Sequence, residues 1–272
     1  MLRSLNSSVS GMKAFQNKLD VIGNNIANVN TVGYKKSRIM FQDVLSQTVR
    51  GSSSPDPVGG SGGTNPVQIG LGVKTASIDT IHMAGSPTTT NLSSDLYIDG
   101  DGFFVVQSDS GAKYLTRAGN FDRDGDGNLV NPQGYKVLDS TGNPIQIDSD
   151  VYVSYTIDYN GVIKGVTPAG TADEIATLGT VVVSNPGGLK KVGGSLYELT
   201  GNSDTETNIN NLIAKRSDNH AGQIVSGQLE MSNVDLSEEI TEMITAQRGF
   251  QANAKVITVS DSILEELVNL KR

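Results

Sequence analysis

The spacing of apolar residues changes twice along the chain. Near the N-terminus, Leu5, Met12, Phe15, Leu19, Ile22, Ile26 and Val29 fall at alternating four- and three-residue steps, with Ser8 filling one place. This is an a/d heptad seam. It predicts a helix over about 4–28, with Asn30-Thr31-Val32-Gly33 as its stop signal. Near the C-terminus, Ile240, Met243, Gln247, Phe250, Ala254, Ile257, Asp261, Leu264 and Val268 keep the same rhythm. A second helix is predicted over about 236–270, with Asp235 as its N-cap and Glu238 three residues on. Glu239 and Glu242 follow in the first turns, and Lys271 and Arg272 close the end, as the helix dipole favours. Gly11, Gly23 and Gly249 interrupt these helices, each at a cost of about 1 kcal/mol against Ala. Gln247 and Asp261 are polar seam positions, which lower stability but fix register.

Between the helices the period falls to two. Residues 51–66, "GSSSPDPVGGSGGTNP", have no periodicity and read as a linker. From about 71 onward, short strand-like runs bounded by turn residues follow one another: 96–107, 113–121, 129–139, 151–158, 178–185, 195–200 and 222–234. Asn160-Gly161 is a strong hairpin signal, and 200–211 reads as a polar loop. The fold class is α+β: a mainly β central domain inserted between N- and C-terminal helices that pair as a coiled coil. The expected organisation is an N-terminal helical segment over 1–32, an extended linker over 33–70, a β-rich outer domain over 71–233 and a C-terminal helix over 234–272.

Charge narrows the choice of partner. The net charge is −8, but residues 1–50 carry +5, 51–229 carry −9 and 230–272 carry −4. The acidic balance leaves no basic field for nucleic acid. No run is long and apolar enough to span a bilayer, and the first helix carries few basic residues and no Trp for a membrane surface. The N-terminus has no apolar core of a cleaved signal. There are no cysteines, so neither disulfides nor Cys-ligated zinc enter.

Candidate chemistry is sparse. Asp122, Asp124, Asp126 and Gly127 match the start of an EF-hand loop. The bidentate Glu of that loop is replaced by Gln133 after Pro132, and strands flank the run, which favours a hairpin turn. The matching function would be a secreted calcium-binding adhesin-like module. His82 and His220 are the only histidines, and nothing places either beside a nucleophile. No nucleophile elbow, phosphate loop or dinucleotide fingerprint is present. An enzyme is not expected, nor a cofactor.

One feature points outward from the chain. With Ile26 at an a position, Asn24, Asn25 and Asn28 fall on the outer and flanking faces, where a free surface helix carries Glu and Lys. Amides donate and accept, and burying them costs less than burying charges. This helix is therefore expected to be covered on both faces, the second time by neighbouring molecules.

The sequence "LDVIGNNIANVNTVGYKKSR" (19–38), preceded by "SSVSGM", resembles the N-terminal signature of bacterial flagellar axial proteins, the rod and hook family. "DGDGFFVV" (99–106), "YLTRAGNF" (114–121) and "GNLVNPQGYKVL" (127–138) resemble the central β domain of that family, and 227–270 its C-terminal segment. The resemblance implies a structural subunit that passes through the flagellar export apparatus without a cleaved signal. It implies a helical homopolymer outside the cell, in the hook or basal body, whose terminal segments order on assembly as the inner layer of the tube. Partners would be other copies, rod proteins, hook–filament junction proteins and hook cap proteins. "MLRSLNSSVSGM", "GGTNPVQIGLGV" and "ELVNLKR" place it most like the short hook protein of Gram-positive bacteria, a flexible torque-transmitting joint whose linker and β domain let contacts slide. The distal rod subunit, of similar length, is the alternative. The expected assembly interface is Leu5, Met12, Phe15, Leu19, Ile22, Asn24, Asn25, Ile26, Asn28 and Val29, with Ile240, Met243, Gln247, Phe250, Ile257 and Leu264.

Overall fold

A computed structural model of the chain describes residues 2–54, 62–148, 150–206, 208–214 and 222–270. His220, Lys271, Arg272 and the middle of the Gly/Ser/Pro run lie outside the described residues. Helix α1 spans Leu2–Ala27, a short α2 spans Ile209–Ala214, and α3 spans Leu236–Asn269. The N-cap of α3 is the expected one: the Asp235 carboxylate accepts the backbone N–H of Ser237 at 2.8 Å and of Glu238 at 3.2 Å. Two donors that no helical carbonyl can reach are thereby satisfied.

The chain divides into two compact units. The first contains Met1–Ile26, Ser37–Asp79 and Asp235–Arg272; the second contains Ala27–Lys36 and Thr80–Val234. In the second unit an eight-stranded sheet runs in the order Lys190–Gly193, Leu196–Glu198, Lys113–Thr116, Phe103–Gln107, Lys136–Val137, Leu129–Val130 and Asp122–Arg123, and Thr180–Val181 also pairs with Phe103–Gln107. All of these pairings are antiparallel. The central run "FFVV" shows why the sheet forms. Alternate side chains point to opposite faces, and here both faces are covered. Phe104 and Val106 enter one core with Leu96, Ile98, Leu129 and Ile147. Phe103 and Val105 enter another with Leu115, Leu138, Tyr197, and Ile209, Leu212 and Ile213 of α2.

Several expected strands are divided by glycines with positive φ. The run 96–107 breaks at Gly100 (φ 121°) and Gly102 (φ 142°), and 222–234 breaks at Gly227 (φ 79°). Asn160-Gly161 makes the expected hairpin, with Ile157 opposite Ile163 and Gly161 at φ 74°. Helix α2 begins inside the stretch read as a loop, because six residues are too few to show a period.

In the first unit Ser37–Asp43 pairs with Val73–Thr80, and Gln47–Arg50 pairs antiparallel with Val67–Ile69. Over 37–43, 47–50 and 67–69, where extended linker was expected, the chain is therefore paired strand. The composition of 51–66 hid the β-branched residues on either side of it, Thr48 and Val49 before and Val67 and Ile69 after.

Candidate assembly interface

Helices α1 and α3 meet within the first unit, and small residues set how they meet. A methyl group at Gly249 would lie 2.6 Å from Cζ of Phe15, and one at Gly11 would lie 3.0 Å from the amide of Asn253. Two of the glycines that looked like flaws are thus contact points. Gly23 is not, since nothing lies within 4 Å of it. Toward the other end of the pair, Asn25 is buried. Its side chain donates to Ser37 O at 2.9 Å and to Glu239 Oε2 at 3.2 Å, and accepts from Ser37 N at 3.0 Å. One asparagine therefore holds the first strand in a bridge-like exchange and gives the buried Glu239 carboxylate a donor. Lys18 and Glu242 form a partly exposed ion pair nearby, an arrangement that typically adds little to stability.

The buried face of α3 is rotated from the expected one. Met243, Phe250, Ile257 and Leu264 are half-buried, but their partner line is Glu239, Ala246, Asn253 and Ser260. Ala246 and Ser260 are buried, whereas Ile240 (45% exposed), Gln247 and Asp261 face outward. Small side chains allow the two helices to approach where Ile and Gln would hold them apart. On α1, Ile22 is buried and Leu5, Met12, Phe15, Leu19 and Ile26 are half-buried. The Phe15 ring meets Phe41 edge-on at 6.0 Å. Asn24 is exposed and lines an open groove of about 420 Å³ with Asn17, Asp20, Val21, Ser37 and Ile78. Asn28 and Val29 lie beyond the end of α1, and the Asn28 side chain accepts from the Thr31 hydroxyl at 3.1 Å.

What the first unit leaves uncovered is apolar. Among the described residues its fully buried apolar side chains are Ala14, Ile22, Ile39 and Ala246. Most of the large apolar side chains left exposed belong to it. Leu236, Ile240 and Ile244 lie along the first half of α3, and Val256, Val259, Ile263 and Leu267 along the second. Leu45 (84% exposed), Val49, Val67, Ile69 and Leu71 lie on and beside the two-stranded ribbon. Exposed apolar area of this extent is uncommon on a protein that stays monomeric, and an isolated two-stranded ribbon is marginal on its own.

The remaining candidates resolve differently. Asp122 lies in the edge strand Asp122–Arg123, and Asp124 and Asp126 lie in the exposed turn that follows, where Asp124 O accepts Gly127 N at 2.9 Å and Gly127 takes φ 82°. Among the described residues no three His, Cys, Asp or Glu side chains are grouped to hold a metal ion. His82 packs edge-on against Phe103 and Tyr197, with ring centroids at 5.7 and 5.3 Å. The sequence reading missed a buried ion cluster in the second unit: Glu230 is bound by Lys35 at 2.5 Å and by Arg117 at 3.3 Å. Burial pushes the Lys35 ammonium below its ordinary range, and Glu230 opposes that shift. No local pattern marks this group, whose members come from three distant segments.

Comparison with known proteins matches three separate stretches of the chain to families. Residues 5–35 match the family described as flagella basal body rod protein, 97–165 the flagellar hook protein FlgE/F/G D1 domain, and 225–270 the flagellar basal body rod FlgEFG protein C-terminal family. The chain is 51% identical to the flagellar basal-body rod protein FlgG of Bacillus subtilis over 272 residues, covering all of both chains. It is 36% identical to FlgG of Borreliella burgdorferi over 281 residues, again covering all of both. It is 29% identical to the flagellar hook protein FlgE of the same organism, in an alignment of 453 positions that covers both chains fully.

Proposed function

The chain belongs to the flagellar rod and hook family of structural proteins, and from that premise we propose that it is a distal rod subunit that polymerises with copies of itself into a helical tube. The observation that carries this reading is length. The rod relatives align over 272 and 281 positions, almost residue for residue, whereas the hook relative needs 453. The N-terminal and linker motifs had favoured the hook; full-length relatedness favours the rod.

The role is mechanical. Helices α1 and α3 supply the inner layer, and their exposed apolar flanks are covered by neighbouring copies. The β unit forms the outer layer, and torque passes through the packed helices. The subunit reaches its place in the basal body, outside the cell, through the flagellar export apparatus. Its neighbours are rod and hook proteins.

Electron microscopy of the concentrated full-length protein, alone and added to purified basal bodies, tests this. Straight, rigid tubes are expected. Curved or supercoiled tubes would return the assignment to the hook, and failure to extend basal bodies would overturn the polymer reading.

A further inference from the structure

His82 lies at the centre of a knot within the second unit. Both of its flanking residues are tied down. Ile81 N donates to Lys36 O at 2.9 Å, and Ile81 O accepts from the Asn233 side chain at 2.8 Å. Met83 O accepts from Lys35 Nζ at 2.7 Å and from Asn233 at 3.2 Å. The same segment is held further along its length: Gly33 N donates to Glu230 O at 2.8 Å, and Lys36 N to Asn233 Oδ1 at 2.7 Å. Residues 33–36, 81–83 and 230–233 are thus laced together around one imidazole.

The surroundings of that ring suit only its neutral form. Phe103 and Tyr197 pack against it. Neither ring nitrogen has a hydrogen-bond partner among the described residues, and both are sealed from solvent. The charged groups around it are mostly cations. Lys35 and Arg117 share Glu230, which is already engaged by both. Lys191 donates to Lys35 O at 3.0 Å and lies over the Tyr34 ring at 4.7 Å. Asp101 lines a cavity of about 170 Å³ that His82 and Arg117 also border.

We propose that His82 is an acid sensor with both ring nitrogens buried: while neutral it fastens the segment Ala27–Lys36 into the β unit, and when protonated it releases that segment. A proton on His82 would add a positive charge beside Lys35, Arg117 and Lys191, with no acceptor for its N–H groups. Desolvation, then Lys35, Lys191 and Arg117, lower its pKa from 6.5 to about 4. The sign follows. The unfolded or released state binds the proton first, so the stabilisation is complete above pH 6.5 and is lost as pH falls from there toward about 4.

The test uses the full-length protein and the fact that it has two histidines. Imidazole resonances are followed from pH 8 to pH 3.5, with His220→Gln to assign them. Protection of the Gly33, Lys36 and Ile81 amides is measured alongside that of core amides such as Val105. The expected result is a His82 resonance that stays neutral through pH 6, and loss of protection at those three amides before the core opens. His82→Phe should move that loss to lower pH by about one unit, as should His82→Gln if the Phe variant folds poorly. A His82 titration near pH 6.5 in the folded protein would overturn the proposal. So would an unchanged acid profile in a folded variant.

Discussion

A hydrogen atom in place of a methyl group decides how closely α1 and α3 approach. Gly23 and Gly249 carry the same intrinsic penalty in a helix, yet their surroundings differ: open space around one, the Phe15 ring against the other. Gly23→Ala should therefore raise stability by up to about 1 kcal/mol. Gly249→Ala gains the same helix propensity but must displace Phe15, and a net loss of about 1–3 kcal/mol is expected from overpacking. Urea unfolding followed at 222 nm separates the two, and equal effects would mean that the helices are not in contact there. Sequence alone could not assign these signs, because a glycine announces its cost to the helix and not what lies opposite. The same blindness applies to Asn25 and Glu239. They are 214 residues apart, and a polar pair that satisfies itself on burial leaves no mark in the hydrophobic pattern. The asparagines were legible as unusual for a surface helix; the strand and carboxylate that Asn25 serves were not.

At the scale of the element, periodicity found both helices and their ends to within a few residues. Of the seam expected on α3, Met243, Phe250, Ile257 and Leu264 are half-buried. The second line was misplaced by one residue, because Glu239, Ala246, Asn253 and Ser260 carry little hydrophobic signal while Ile240 carries much. This gives a paired prediction. Ala246 is fully buried, so Ala246→Asp should destabilise the helix pair by more than about 3 kcal/mol through an unpaired buried charge. Ile240→Asp lies on an exposed flank and should change the stability of the monomer by no more than about 0.5 kcal/mol, yet abolish tubes if that flank is covered by another copy. Thermal melts and electron microscopy of the same two variants give the answer. Normal tubes from Ile240→Asp would remove this flank from the interface. The β elements were legible wherever alternation and turn residues coincided, as at Asn160-Gly161. They were blurred where a glycine with positive φ divides one run into two strands.

At the scale of the whole molecule, the two units are stabilised to different degrees. The second has two buried apolar clusters, one on each face of its sheet. Among the described residues the first has few fully buried apolar side chains and much exposed apolar surface. The aromatic residues make this difference measurable. The chain has no Trp, and its eight tyrosines, Tyr34, Tyr97, Tyr114, Tyr135, Tyr152, Tyr155, Tyr159 and Tyr197, all lie in the second unit. Near-ultraviolet dichroism and tyrosine fluorescence therefore report the β unit. Ellipticity at 222 nm reports mainly α1 and α3, which hold nearly all the helix among the described residues. If buried apolar surface sets the order of unfolding, the 222 nm signal should fall first on heating. Its midpoint should rise with protein concentration, because association stabilises what it covers. The tyrosine signals should change later, at a temperature independent of concentration. Coincident transitions at every concentration would mean that the first unit is held by the single chain, and that its exposed flanks are not needed for its stability.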